Sequence, residues 1–242
     1  MAESISTTVP KPSSTQSKYL TALKYLAIFA SSCLLALIAF RLIGTIAKEP
    51  SPSYVALVIL GLLGGYTVAD FVTGTTHWFC DTFFSENTRI IGRTLIEPFR
   101  DHHLNPRSIT RCRFIDQDTS SFFIIGPILF INLNAGPANG ETQIFWAAFL
   151  VGISLGLFGT NFFHRWAHQQ QVARPIEWLQ KSGIVLRPRR HHIHHRSYDS
   201  AYCVTSGWLN PALDAVQFYS RLERLIRSFG PRQKPKTEPK DV

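Results

Sequence analysis

Several motifs that would assign a chemistry are missing from this sequence. There is no G-x-G-x-x-G fingerprint for a dinucleotide and no haem-attachment motif, so the chain has no recognisable redox cofactor of these kinds. The four cysteines (Cys33, Cys80, Cys112 and Cys203) are scattered without a C-x-x-C pair. This argues against a disulfide framework, a zinc ribbon and an iron–sulfur cluster. No H-E-x-x-H motif is present either, so a zinc protease would lack its general base.

Acidic residues are too few to balance the basic ones, and the net charge is +9 over 242 residues. Such a charge can indicate a nucleic-acid surface, but soluble nucleic-acid binders do not carry apolar runs of membrane-spanning length. Anionic lipid headgroups explain the charge better, so no nucleic-acid partner is predicted. The length fits one domain.

Four apolar runs are candidate membrane spans: Tyr25 to Ile46, Tyr54 to Val72, Phe122 to Leu133 and Ile144 to Phe163. The third holds Pro127 and is too short to cross a hydrocarbon core of about 30 Å unaided. It is predicted to be re-entrant, or to cross with a broken turn that its neighbours shield. The first run is long for a signal peptide and lacks a convincing cleavage site, so we expect a retained span. The sequence therefore predicts an all-α integral membrane protein with about four transmembrane helices.

Composition also predicts the domain limits and the orientation. Residues 1–18 are expected to be a disordered tail, residues 19–228 one membrane domain, and residues 229–242 a disordered basic tail. If all four runs cross, both termini and the long polar segments share one side. That side carries six arginines from Arg89 to Arg113 and all fourteen Lys and Arg from Arg165 onward. Positive charge marks the cytoplasmic side, so both termini and the polar cap are predicted to be cytoplasmic.

The nine histidines fall into four short clusters at or beyond the ends of apolar runs. His77 and Asp81, like His164 and His168, are four residues apart, so each pair can chelate one ion from one helix face. The next cluster, His102 and His103, is predicted to lie in a loop. The last cluster is an H-x-x-H-H box with one additional imidazole. The predicted metal ligands are His77, His102, His103, His164, His168, His191, His194 and His195.

Eight imidazoles are too many for one tetrahedral zinc ion but suit two metals with about four nitrogen ligands each. Imidazole binds zinc, copper and iron alike, so the count predicts a binuclear centre without choosing the metal. Asp81 is either a ligand or an acceptor that holds His77 in one tautomer. Asp101 is either an orienting carboxylate or a surface charge beside Arg100.

The arrangement of these motifs resembles the plasmanylethanolamine desaturase (Kua or CarF) family and, more distantly, the plant plastid desaturase that acts on phosphatidylglycerol. The resemblance covers roughly Asp70 to Leu222. It rests on His77-Trp78 with Asp81, His102-His103 followed by Ser108-Ile109-Thr110-Arg111, His164-x-Trp166-Ala167-His168, His191-x-x-His194-His195, and Tyr202-Cys203-x-x-Ser206-Gly207.

Two positions depart from the family pattern. His192 falls inside the last box, where the plant relative has no histidine. It is therefore left outside the ligand set, as a residue that could contact the ligands or bind a metal itself. Cys112 stands where some animal-type members place a histidine after the Thr-Arg pair. If that histidine contributes to the metal site of those members, this chain lacks the contribution.

The resemblance implies a membrane lipid desaturase that holds two irons through the eight histidines. Two ferrous ions can reduce dioxygen and provide an oxidant that takes hydrogen from an unactivated C–H bond. The implied substrate is a phospholipid whose alkyl ether becomes the vinyl ether of a plasmalogen. Each turnover needs two electrons, which an external carrier such as cytochrome b5 or a ferredoxin would supply.

Two other interpretations remain open at this point. A phospholipid acyl-chain desaturase or hydroxylase would need the same histidine boxes and the same topology. A membrane metal carrier or metal-sensing scaffold could use the histidines for zinc or copper instead.

Overall fold

A computed structural model of the chain describes residues 14–89, 91–92, 96–111, 119–135 and 140–229. In chain order the helices are α1 (Ser14–Lys48), α2 (Pro52–Thr82), α3 (Glu97–Leu104), α4 (Thr119–Asn134), α5 (Glu141–His168), α6 (Arg174–Ser182), α7 (Pro188–Ser197), α8 (Asn210–Ala215) and α9 (Phe218–Phe229), with a 3₁₀ turn at Ser108–Arg111. The helical architecture predicted from the sequence is confirmed. Helix α1 begins inside the predicted N-terminal tail. Most of that tail, and almost all of the C-terminal tail, lies outside the described residues.

Among the described residues, three helices are long and apolar enough to cross a membrane: Lys18–Lys48, Pro52–Thr82 and Glu141–His168. They correspond to the first, second and fourth predicted spans. The third run forms α4, which continues through Pro127 as one helix of 16 residues. At 1.5 Å per residue it is about 24 Å long, shorter than the hydrocarbon core. Whether α4 crosses stays a prediction.

The membrane helices α2 and α5 pack closely because glycines remove side chains from their contact. A Cβ on Gly65 would overlap the backbone of Phe149, and one on Gly152 would overlap that of Leu62. Spacing small residues four apart, as in Gly152 and Gly156, lets helix backbones approach in an apolar solvent. On the other flank, Ser31 of α1 donates a hydrogen bond to the Phe122 carbonyl of α4 at 3.3 Å.

Helices α2 and α5 run parallel, and this decides where their histidines meet. Gly65 lies against Phe149, and Gly156 lies against Ala69, so residue numbers rise together along the contact. Both helices continue beyond the predicted apolar runs, to Thr82 and His168. Two turns past the Ala69 contact, the rings of His77 and His164 are 5.8 Å apart between centroids.

The prediction that His102 and His103 lie in a loop is wrong, because both belong to α3. Helix α3 starts with Glu97, an acidic residue that the positive end of the helix dipole favours. Pro98 follows in the first turn, where backbone N–H groups have no partner within the helix, so its missing N–H costs nothing. These start signals are weak in a segment of eight residues. The helix depends on the contacts that α3 makes with α2 and with the 3₁₀ turn.

Candidate metal centre

The predicted ligands converge on two neighbouring clusters. The first cluster contains His102, His164, His168, His191 and His195, and the second contains His77, Asp81, His103 and His194. Within each cluster, one possible ligand atom from every residue lies within 4.8 Å of the others. All eight predicted histidines are thus brought together, and Asp81 joins them.

Adjacent histidines in the sequence divide between the two clusters. His102 and His103 of α3 face different clusters, and so do His194 and His195 of α7. Neighbouring side chains on a helix point about 100° apart, so a doublet can reach two ions that lie side by side. Helix α2 supplies only the second cluster and α5 only the first. The two doublets therefore connect the two clusters.

In the first cluster, three imidazole nitrogens surround Nε2 of His195. Nε2 of His191 lies at 2.9 Å, that of His102 at 3.1 Å, and that of His168 at 3.2 Å. A ring nitrogen has a single in-plane site, which holds either one hydrogen or one lone pair. It cannot form three hydrogen bonds of similar length at once. Lone pairs that point at a shared cation explain this convergence.

The spacing of the nitrogens also fits a shared ion. Imidazole binds a metal at about 2.1 Å, so neighbouring ligand nitrogens around one ion lie about 3.0 to 3.4 Å apart. The nitrogen pairs of His102 and His168 with His195, at 3.1 and 3.2 Å, fall in this range, and Nε2 of His164 and Nε2 of His191, at 2.8 Å, are slightly closer than its short end. The first cluster thus has the donor type and the approximate spacing that a transition-metal ion requires.

The second cluster mixes imidazoles with a carboxylate. Oδ2 of Asp81 lies 3.4 Å from Nε2 of His77 and 3.5 Å from Nε2 of His194, while Oδ1 lies 3.0 Å from Nε2 of His103. Nε2 of His77 and Oδ2 of Asp81 are buried without a hydrogen-bond partner. Two buried metal-ligand atoms that converge and have no hydrogen-bond partner fit a cation between them.

Backbone carbonyls fix the tautomers of two histidines in the second cluster. The carbonyl of Tyr202 is 3.2 Å from Nδ1 of His77, and the carbonyl of Ser200 is 2.8 Å from Nδ1 of His194. A carbonyl only accepts, so each Nδ1–H must donate. Nε2 then keeps its lone pair on the side that faces the cluster.

Burial keeps three imidazoles of the first cluster in the neutral form that binds metals. Burial, together with the neighbouring imidazoles of His168 and His195, lowers the pKa of His102 far below its ordinary value. Burial and the His164 imidazole lower the pKa of His191 in the same way. The pKa of His195 is lowered mainly by burial and then by His168. An imidazole nitrogen needs a free lone pair to bind a metal ion, and protonation would remove that lone pair.

The carbonyls that orient His77 and His194 belong to a segment that is anchored at several points. We call residues 198–210 the strap. Within it, Asn210 bonds both the N–H and the carbonyl of Cys203, at 2.8 and 3.0 Å. Beyond it, Asp214 accepts hydrogen bonds from the N–H of Ala201 at 3.1 and 3.2 Å.

The strongest anchor of the strap is Asp70, a residue that the sequence reasoning did not identify. It is fully buried in α2, and its Oδ1 accepts hydrogen bonds at 2.9 to 3.0 Å from the N–H groups of Thr205, Ser206 and Gly207. A carboxylate inside a membrane-length apolar run is itself a signal, because burying it is costly unless it is fully paired. The Tyr202 to Gly207 motif lies in this strap.

The remaining predicted site residues lie outside the two clusters. Asp101 and His192 are both exposed. Neither belongs to a group of possible ligands among the described residues. Cys112, the departure from the family pattern, lies outside the described residues.

Comparison with known proteins agrees with this arrangement. The family model described as a lipid desaturase domain matches residues 66–238, which include both clusters and the strap. The chain belongs to the lipid desaturase family. The resemblance stated from the histidine motifs is confirmed.

Named relatives of this family fall into two groups. Plasmanylethanolamine desaturase of Myxococcus xanthus is 37% identical over 171 residues, covering 70% of this chain and 60% of its own. Plasmanylethanolamine desaturase 1 of Mus musculus is 38% identical over 183 residues, covering 72% of this chain and 66% of its own. Fatty acid desaturase 4 of Arabidopsis thaliana chloroplasts is 29% identical over 179 residues, covering 72% and 54%.

The chain therefore spans a little under two thirds of the length of the plasmanylethanolamine desaturases that it matches. No solved structure matches it.

Proposed function

We propose that this chain is a di-iron membrane desaturase that converts the alkyl ether of a plasmanyl phospholipid into the vinyl ether of a plasmalogen. The observation that carries the proposal is the division of adjacent histidines between two converging ligand clusters. Two ligand clusters side by side would hold two ions, whereas a structural zinc site holds one ion with four ligands. The relatives at 37 and 38% identity are named for this reaction.

Bound iron would supply the oxidising power, because a pair of redox-active ions can use dioxygen to remove two hydrogens from an unactivated alkyl chain. The first cluster would hold one iron through His102, His164, His168, His191 and His195, and the second would hold the other through His77, Asp81, His103 and His194. The strap keeps His77 and His194 oriented. Burial of most of these ligands limits the access of water.

The position of the clusters suits a reaction close to a lipid headgroup. They lie at the C-terminal ends of α2 and α5, two helices long and apolar enough to cross a membrane. A phospholipid presents its glycerol and the first carbons of its chains at this depth, with its phosphate farther out. An ether beside the glycerol is therefore within reach of such a site without lifting the rest of the chain from the membrane.

The electrons would come from outside the chain. A small carrier such as cytochrome b5 or a ferredoxin would dock on the polar face, which we place on the cytoplasmic side together with both termini. The excess of basic residues, +9 in total, favours an acidic carrier by electrostatic steering.

Desaturation of a phospholipid acyl chain is a second candidate. Relatives named fatty acid desaturases are 29 to 33% identical to this chain over similar stretches. A metal carrier is less well supported, because ligands fixed by backbone carbonyls and buried among one another do not suit rapid release of an ion.

Reconstitution tests the proposal directly. The purified protein, in vesicles that contain both alkyl-ether and diacyl phospholipids, would be analysed for metals and then supplied with oxygen and a reduced electron carrier. We expect about two irons per chain and the formation of acid-labile vinyl ethers. A new acyl double bond instead would identify the second candidate. Equal turnover with zinc in place of iron, or without a reductant, would contradict the desaturase mechanism, since zinc has no redox chemistry.

A further inference from the structure

A pocket of about 540 Å³ opens directly over the histidine clusters. His168, His191 and His195 of the first cluster and His103 of the second form part of its wall. Pro106, Ala167 and Tyr198 add apolar surface, and Arg189 with His192 completes the side formed by α7. A molecule in this pocket would contact both clusters.

The arginines of the α7 region differ in what they bind. Arg187 donates to the carbonyls of Gln180 and Lys181, at 3.1 and 2.8 Å, and Arg190 donates to the Gly207 carbonyl at 2.8 Å. These two guanidiniums hold the backbone together. Within the described part of the chain, the side chain of Arg189 has neither a hydrogen bond nor an ion pair, and it is the arginine that lines the pocket. Its charge is therefore available to a ligand.

The position of Arg189 on the helix relates it to the centre. Arg189, His192 and His195 are spaced three residues apart, so each side chain neighbours the next along α7, and all three line the pocket. Six residues of helix place the Cα of Arg189 about 9 Å from that of His195 along the helix axis. The pocket therefore has a cationic outer end and a histidine-lined inner end.

From this arrangement we infer that Arg189 binds the phosphate of the substrate phospholipid and thereby places the adjoining chain at the clusters. The inference rests on the proposed function and names the substrate feature that the site recognises. An arginine suits a phosphate because its donors match two oxygens at once. Only the glycerol separates the phosphate from the ether oxygen, so one lipid can span from Arg189 to the inner histidines.

A lipid fits this pocket better than an electron carrier does. The wall is partly apolar, because Pro106, Ala167 and Tyr198 line the pocket together with the cation and the histidines. A glycerol and the first chain carbons can lie against these groups, whereas a docked protein would contact exposed cations over a wide surface. Ala167 and His168 of the last turn of α5 also line the pocket, and lipid headgroups lie near the ends of membrane-length helices.

Equilibrium binding without turnover tests this role. The iron-loaded protein in detergent, kept without oxygen and reductant, would be titrated with a short-chain alkyl-glycerophosphoethanolamine and with the matching alkylglycerol, which lacks phosphate. We expect the wild-type protein to prefer the phospholipid by at least about tenfold, the scale of a charge-assisted hydrogen bond. Arg189→Gln should remove this preference and leave alkylglycerol binding and iron content unchanged.

Arg196→Gln is the matched control, since Arg196 is an exposed arginine of the same helix that does not line the pocket. It should keep the full preference. Retention of the preference by Arg189→Gln, or its loss in both variants, would overturn the inference. Inorganic phosphate that competes as strongly as the phospholipid would indicate a free-anion site instead. In a separate turnover assay, Arg189→Gln that raises the KM for the electron carrier but not the KM for the lipid would indicate a carrier-docking surface and would also overturn the inference.

This outcome is separable from that of the proposed function. Binding is measured with no reaction taking place. A protein that prefers the phospholipid but forms no vinyl ether would contradict the reaction and leave the phosphate contact standing.

Discussion

Oδ1 of Asp81 lies 3.0 Å from Nε2 of His103, which joins α2 to α3 inside the second cluster. The other carboxylate oxygen faces His77 and His194. Asp81 is thus the one acidic group among the nine possible ligands in the described residues. It brings a negative charge that imidazoles cannot supply to an ion.

Removing this charge should weaken one metal site selectively. We expect Asp81→Ala to lower the affinity of the second cluster by at least about tenfold, so that iron falls from about two per chain towards one. Metal analysis after dialysis against a chelator measures this. Asp101→Asn is the control, because Asp101 adjoins His102 in the sequence but is exposed. Equal iron loss in both variants would show that Asp81 has no specific role.

Truncating a chelating pair should eliminate the reaction without unfolding the membrane domain. We expect His164→Ala and His168→Ala each to reduce desaturation by at least about 100-fold, because the first cluster loses an imidazole from its shared centre. Both variants should stay inserted in the membrane, as fractionation and protease protection would show.

The matched substitution in this series is His192→Ala. His192 is exposed and lies outside both clusters, so this variant should keep about two irons and substantial activity. A well-folded His192→Ala variant that loses iron together with activity would mean that the ligand set is wrong. Activity near wild type after loss of His164 or His168 would assign that pair a structural role.

Asp70 should stabilise the fold and the second cluster together. Asp70→Ala leaves three buried N–H groups without an acceptor, so we expect a loss of about 3 kcal/mol or more in the free energy of unfolding. Because the strap then releases the carbonyls that orient His77 and His194, iron at the second cluster should also decrease. Thermal unfolding in detergent and metal analysis would measure both effects.

Asp199→Asn is the control for Asp70, since Asp199 lies in the strap but is exposed. It should leave stability and iron content near wild type. If Asp70→Ala unfolds too readily to purify, Asp70→Asn retains one acceptor oxygen and should give a smaller change in the same direction. Full stability in Asp70→Ala would contradict the anchoring role.

The topology prediction is that both termini lie on the same side as all the histidines. Single cysteines placed near Ser14 and Lys236 in a cysteine-free background should react equally with a membrane-impermeant reagent applied to one side. Opposite reactivity would mean that the Phe122 to Leu133 run does not cross.

Hydrophobicity and local spacing made much of this protein predictable from sequence. Apolar runs located the long helices, because a membrane core about 30 Å thick demands a minimum length whatever surrounds it. The four-residue spacing of His164 and His168 indicated a shared helix face, because helical periodicity is local. The gathering of eight histidines beside apolar runs indicated one metal-binding region.

Only the tertiary structure decided how these parts combine. The parallel packing of α2 on α5, which depends on glycine contacts distant in sequence, sets His77 beside His164. The division of His102 from His103 follows from α3 being a docked helix, and a segment that short takes its stability from its neighbours. Asp70 acquires its role from backbone N–H groups more than 130 residues away, and no local pattern encodes such a partner.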